Sequence, residues 1–308
     1  MNRTPNENRR QKSPLLWSMA IQAVIFLGRV LPRQAGLTVA DGIGKLLGKQ
    51  NKHPMVKAAR ANQWVIHEQA LAPSQLDHLT QAVFQSAARC IFDYFYFLPR
   101  PEKLKSIVEF SPETQNAFDR IRQKQPCVFV CPHLSNFDLM GYVLSLNNLD
   151  VQVLSFPNPS IAYRLQNKIR ESVGINVTPM TLSAFRQARN RLREGGSVLT
   201  GLDRPLEDGG QKKYQPTFFN NQCTLPVAYV RMAIEANAPV VIMAATSLPG
   251  QAYRLIGSEP IWMESHQDLE TEIIMNANRV LSESEKMIRT HAHQWAMFYP
   301  IWPQFLGV

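Results

Sequence analysis

Cysteine is scarce and unpaired in this chain. Of 308 residues only Cys90, Cys127, Cys131 and Cys223 carry a thiol. None forms a C-x-x-C pair, and no His/Cys spacing follows a zinc-site pattern, which excludes a disulfide-stapled or zinc-organised scaffold. Cys127 and Cys131 share one apolar run and read as small buried hydrophobes in a reducing compartment. Internal repeats and low-complexity tracts are also absent, excluding solenoids and arrays. No uninterrupted apolar run reaches the roughly 20 residues that a membrane-spanning helix needs. No recognised nucleic-acid module is present, and no Ser or Cys stands in a pattern that would activate it as a nucleophile.

What the chain does have is an ordinary core and an excess of positive charge. Apolar residues make up 45% and charged residues 19%, enough to fill one large domain or a domain with a helical arm. The net charge of +9 calls for an anionic partner: nucleic acid, an anionic membrane surface, or a phosphorylated or acidic carrier. Residues 1–13 are polar and basic, a disordered arm. Residues 14–100 read as a helical amino-terminal region. Its most apolar stretch, 15–31, is closed by Arg29 and Pro32. Basic residues precede it, as in a signal peptide, but no A-x-A-like site follows. The expectation is a helix lying in the membrane interface, with the basic arm on anionic headgroups. Helices are expected over 34–47, 54–68 and 73–97.

From residue 101 to 308 the pattern changes to alternating strands and helices. Strands are expected at 108–110, 128–130, 151–156, 175–178, 197–202, 240–245 and 253–256. Helices are expected at 113–124, 160–172, 182–194 and 225–238, with Gly174 closing the second in a left-handed conformation. This alternation predicts an α/β fold: a mostly parallel twisted sheet with helices on both faces, preceded by the helical membrane-associated region. A carboxyl-terminal arm is rich in aromatics (Trp295, Phe298, Tyr299, Trp302). These suit either a bilayer boundary or packing on the domain.

The densest stretch is CVFVCPHLSNFDLMGY, residues 127–142. Val128, Phe129 and Val130 suit a buried strand, and Pro132 ends it. Ser135 or Asn136 is placed to cap the helix that follows. His133 then falls at the carboxyl end of a strand, the rim where open α/β sheets bind ligands. Asp138 falls in the first helical turn, where the helix dipole favours a carboxylate. An imidazole with a carboxylate on its second nitrogen is a general base for a hydroxyl at neutral pH. The H-x4-D spacing alone is weak evidence, since 7 His and 24 acids in 308 residues give about 0.5 matches by chance.

Other features stand in order around it: Tyr163-Arg164, Leu192 to Gly196, Asp203-Arg204, Phe218-Phe219, Leu225 to Val241, His293-Gln294-Trp295 and Trp302. Together with His133 to Asp138, their order and spacing resemble the lysophospholipid acyltransferase superfamily. The nearer resemblance is to the bacterial lipid A biosynthesis (lauroyl/myristoyl) acyltransferases and the phosphatidylinositol mannoside acyltransferases.

The resemblance implies transfer of a fatty acyl group from acyl-CoA or acyl carrier protein to a hydroxyl of a lipid or glycolipid. His133 would be the base and Asp138 its partner. It implies no metal and no cofactor beyond the thioester co-substrate. The partners would be membrane lipids, an anionic bilayer surface and the donor, not nucleic acid, at the cytoplasmic face of the bacterial inner membrane. Arg164 and Arg204 would hold anionic groups, beside Tyr163, Asp203 and Glu207. Some relatives draw the relay carboxylate from this later block, so Asp203, Glu207 and Asp208 stay open as partners of His133. Arg186, Arg189, Arg191 and Arg193, with Lys212 and Lys213, form a basic surface that suits the donor or headgroups. Phe218-Phe219 reads as either the floor of an acyl tunnel or core. Two other functions are compatible with the same residues: a thioesterase or lipid hydrolase using the same base, and a non-catalytic lipid-binding protein.

Overall fold

The computed structural model describes residues 22, 25–156, 161–206 and 214–308. The basic arm, most of the 15–31 segment, Glu207, Asp208, Lys212 and Lys213 lie outside them. Among the described residues no helix is long and apolar enough to cross a membrane.

Among the described residues the helical region contains a helical stretch over 25–30, then α1 (Arg33–Gly48), α2 (Pro54–Ile66), α3 (Pro73–Phe97) and α4 (Pro101–Lys105). Helix α1 packs closely on α3, because Gly36, Gly44 and Gly48 present no side chain. A Cβ on Gly44 would lie 2.5 Å from the Gln85 backbone. A buried polar chain joins this region to the sheet. Arg33 donates to both oxygens of Asp93 at 2.8 and 2.7 Å, and the Tyr253 hydroxyl donates to Asp93 at 2.7 Å.

The α/β region contributes, in chain order, β1 (Val108–Phe110), α5 (Pro112–Arg122), β2 (Cys127–Cys131), α6 (Phe137–Leu146), β3 (Val151–Ser155), α7 (Ile161–Ser172), β4 (Asn176–Pro179), α8 (Leu182–Arg193) and β5 (Ser197–Gly201). It continues with the short hairpin β6 (Thr217–Phe218) and β7 (Asn221–Gln222), then α9 (Ala228–Ala236), β8 (Val240–Ser247), β9 (Tyr253–Gly257) and α10 (Leu269–Thr290). Seven strands form one sheet in the order β1-β9-β8-β2-β5-β3-β4. All pairings in it are parallel except β8 with β9. The fold is therefore the expected mixed α/β arrangement.

Strand β2 lies in the middle of the sheet and is buried throughout. Its side chains alternate. Val128 and Val130 join a core with Ala188 and Leu192 of α8, Tyr229 of α9 and Ala277 of α10. Cys127, Phe129 and Cys131 join the opposite core with Phe118 of α5 and Leu139 and Val143 of α6. Period-two alternation between two apolar layers is what a central parallel strand requires. Gly174 sits at φ +84° between α7 and β4, as the sequence predicts, and a Cβ there would meet Ser145 Oγ at 2.6 Å.

Helix α10 has no counterpart among the sequence expectations. Ile273, Ala277, Val280, Leu281 and Ile288 keep helical spacing and are buried, but Asn276 and Ser284 interrupt the apolar face. Asn276 is fully buried and satisfied: its amide donates to Glu264 O and Glu272 O at 2.8 Å, and its oxygen accepts from Glu264 N.

Candidate active site

Strands β2 and β5 are register partners, with Cys131 opposite Gly201. The ladder runs one step further, Leu202 N donating to Cys131 O at 3.0 Å. Two residues beyond each strand end, the same register sets His133 beside Asp203. The His133 backbone N–H donates to Asp203 Oδ2 at 2.9 Å, and ring Nδ1 lies 2.6 Å from Oδ1. Asp203 is wholly buried, whereas 26% of the His133 side chain is exposed.

A third donor completes the carboxylate's shell. Trp295 Nε1 donates to Asp203 Oδ2 at 2.7 Å. The arm that carries Trp295 is bound to the His133 turn by Ala296 N to His133 O at 2.8 Å and by Ser135 N to Gln294 O at 2.8 Å. By sequence the arm's aromatics suit either packing on the domain or a bilayer boundary. Trp295 and Trp302 are packed, each 1% exposed; Phe218 stacks on Trp302, and the other ring contacts of Phe218 and Phe219 with the two tryptophans are edge-on or tilted. The phenylalanine pair is core and does not line the cavity described below.

With Nδ1 donating to the carboxylate, Nε2 is left as the acceptor. Phe137 holds the ring edge-on at 4.8 Å, and Gly201 lies against its other side, close enough that a Cβ there would touch His133 Cε1 at an ordinary 3.6 Å.

Asp138 does not meet His133 as the H-x4-D spacing predicts. Its carboxylate accepts from Arg170 Nε and Gln166 Nε2, both at 2.8 Å, and Arg170 Nη2 approaches to 2.6 Å. The reason is local: Asp138 lies in α6 and faces α7, which supplies both donors. Burial opposes the Arg170 charge, but Asp138 and Tyr163 outweigh it and raise its pKa above the ordinary guanidinium value. The sequence signal for Arg170 was the α7 pair Gln166 and Arg170, four residues apart and so on one face.

His133 opens onto a cavity of about 400 Å³ lined by Phe137, Met140, Val153, Met180, Leu199 and Arg204, among others. Tyr163 lines it too; Arg164 does not, and its side chain is exposed. Arg204 sits at this rim with its guanidinium over the rings of Phe156 at 3.9 Å and Tyr299 at 4.2 Å. Cys131 also lines the cavity, but burial pushes its thiol up to about 12, so it stays protonated at neutral pH. Ser135 Oγ is bonded to Ser247 Oγ at 2.7 Å rather than to the imidazole.

The α8 arginines lie elsewhere. Arg191 donates to Ser197 O at the amino end of β5 and pairs with Asp150, and Arg189 pairs with Glu235. The Arg191 contact is at the rim opposite His133. Among the described residues no group of three His, Cys, Asp or Glu is arranged to hold a metal ion.

Residues 5–304 match a family model described as bacterial lipid A biosynthesis acyltransferase. Among solved structures, the chain is similar to a 1-acyl-sn-glycerophosphate acyltransferase from Thermotoga maritima. The two share 13% identity and a TM-score of 0.34, over 73% of this chain and 88% of that one. No curated protein matches the sequence.

Proposed function

This chain belongs to the bacterial lipid A biosynthesis acyltransferase family, within the lysophospholipid acyltransferase superfamily, and from that premise we propose that His133 is its general base, paired with Asp203. The substrates would be an acyl thioester, acyl-CoA or acyl carrier protein, and a hydroxyl of a lipid or glycolipid. The observation that carries this reading is the 2.6 Å contact between a wholly buried carboxylate and an imidazole that opens onto an apolar cavity.

In this reading His133 Nε2 takes the proton of the acceptor hydroxyl as its oxygen attacks the thioester carbonyl. The C–O ester bond forms, the C–S bond breaks, and the imidazolium returns the proton to the departing thiol. Asp203 fixes the tautomer and stabilises the imidazolium. Transfer is direct, because the Cys131 thiol is protonated and Ser135 has no base beside it. Arg204 holds an anionic group at the cavity mouth; Tyr163 borders the same mouth. Arg164 and Glu207 are further candidates to meet the substrate. Asp138 keeps Arg170 in the cavity wall.

Membrane association is part of the proposal. Val39, Ile43, Leu46 and Leu47 recur at helical spacing on α1 and are 46–66% exposed, and Phe26 and Val30 before it are exposed by 63% and 61%. Such a stripe beside Arg29, Lys45 and Lys49 suits a helix lying in an anionic bilayer surface. In this reading the enzyme is peripheral or monotopic, and we place it on the cytoplasmic face.

The test is product analysis with labelled acyl thioester and acceptor lipid. Wild-type protein should give acylated lipid in amounts that depend on acceptor. His133→Ala should lower the rate by about 10²–10⁴-fold, the usual worth of a general base. Free fatty acid unaffected by acceptor would mean hydrolysis, and binding without turnover a lipid-binding protein.

A further inference from the structure

The cavity at His133 is lined from both faces of the sheet. Val153 of β3 and Leu199 of β5 are register partners, and so are the next residues along, Leu154 and Thr200. Successive side chains on a strand point to opposite faces. The two pairs therefore face opposite ways, yet all four residues border one cavity. Val153 and Leu199 pack with Cys131 and Met140 in the apolar layer of α6. Leu154 belongs to the layer of α8 and α9, and Met180, just before α8, packs on that same layer. Leu206, Pro226 and Ala228 complete this second side of the lining. The segment after Arg204 is held there by Leu206 N, which donates to Thr224 O at 3.2 Å.

The cavity is thus a saddle over the ends of β3 and β5. Its ridge is Ser155 and Gly201, the last residues of the two strands. His133 stands at the ridge, against Gly201. One base then serves two flanks, and the flank toward α8 and α9 has a distinct chemistry. Its lining is apolar except for the Thr200 hydroxyl. A pantetheine arm would lose water from its amides there and find one hydroxyl in return, which is costly; a hydrocarbon tail loses nothing. The flank also leads outward. Met180 is followed within two residues by Leu182, 83% exposed at the start of α8. Arg204, two residues before Leu206, lines the same cavity at its mouth.

We infer that this flank binds the acceptor lipid: a hydrocarbon tail of the acceptor lies between Leu154, Met180, Leu206 and Ala228, with Arg204 on an anionic group of the same molecule. The role of acceptor rests on the acyltransferase reading. The ligand class, an anionic lipid with a hydrocarbon tail, rests on the lining.

The test is titration of wild type, Ala228→Phe and Leu206→Glu with dodecyl phosphate below its micelle concentration. Each titration is run alone and with hexadecyl-CoA, a thioether that cannot be cleaved. Wild type should bind both ligands together, each leaving the other's affinity within about twofold. Octyl phosphate should bind wild type at least about tenfold more weakly than dodecyl phosphate, because fewer methylenes are buried. Ala228→Phe fills the flank, and Leu206→Glu sets a carboxylate against the tail. Each folded variant should weaken dodecyl phosphate by about tenfold or more and keep hexadecyl-CoA within about twofold of wild type. Competition between the two ligands in wild type, no binding of dodecyl phosphate, or variants that weaken hexadecyl-CoA instead would overturn the site. Joint binding that depends on Leu206 and Ala228, with no acyl transfer from palmitoyl-CoA to any hydroxyl lipid, would sink the acyltransferase reading and keep the flank as a lipid site.

Discussion

His133 and Asp203 meet because one strand register carries past the ends of two neighbouring strands. Cys131 and Gly201 are paired, so a step of two residues along each chain brings the imidazole and the carboxylate to 2.6 Å. The acid is supplied by β5, seventy residues away in sequence, and not by the turn that follows the histidine. Backbone geometry, which side chains do not have to find for themselves, fixes the pair.

Trp295 is the outer support of that pair. Trp295→Phe keeps an aromatic ring in the core, removes the N–H that Asp203 accepts and leaves a small cavity where the larger indole stood. Hydrogen bonds to charged groups are worth about 1.5–3 kcal/mol. The variant should lose at least that much in urea unfolding, the cavity adding to the lost hydrogen bond, with its m-value unchanged. Turnover should fall while the KM for the thioester holds, since Trp295 is not among the residues lining the cavity. Loss of stability with full turnover would reduce Trp295 to packing.

Asp138 should behave as a structural partner of Arg170. Their side chains are 16% and 9% exposed, so Asp138→Ala strands a buried guanidinium. Breaking such a pair costs about 3–5 kcal/mol. Combining Asp138→Leu with Arg170→Met should recover most of it, because no charge is then left uncompensated. Strictly additive losses in the denaturant midpoints of the double-mutant cycle would contradict the pairing.

The fold's α/β alternation and the histidine's place at the strand end were readable because β-branched runs, Pro132 and Gly174 act locally. The partner of His133 was not. H-x4-D is a local pattern, and side-chain direction on α6 turns Asp138 toward α7. Choosing among Asp203, Glu207 and Asp208 required knowing that β5 lies next to β2, which is long-range information. Trp295 was hidden for the same reason: its donor role exists only once the carboxyl-terminal arm has bridged to Leu134. Helix α10 was missed because Asn276 and Ser284 broke its apolar face, although both are buried.

Acid should loosen the arm through His293. His293 is exposed at the surface but partly desolvated, and this, with the nearby His291 and Arg89 charges, holds its pKa below the ordinary 6.5. The unfolded chain therefore binds this proton first as pH falls. Stability is full above 6.5 and declines as pH drops from there toward the folded-state pKa. Thermal unfolding followed across that window should show a shallower acid-side decline for His293→Gln than for wild type. Identical slopes would remove His293 from the account.

The most direct test of the dyad compares Asp203→Asn with Asp138→Asn in acyl transfer from a thioester to a lipid acceptor, with folding verified for both. Asp203→Asn should slow single-turnover transfer by about 10²–10⁴-fold, since the imidazole loses its charged partner. Asp138→Asn should stay within about tenfold of wild type, a span of 1.4 kcal/mol. The reverse ranking, with Asp138→Asn inactive and Asp203→Asn near wild type, would contradict the assignment.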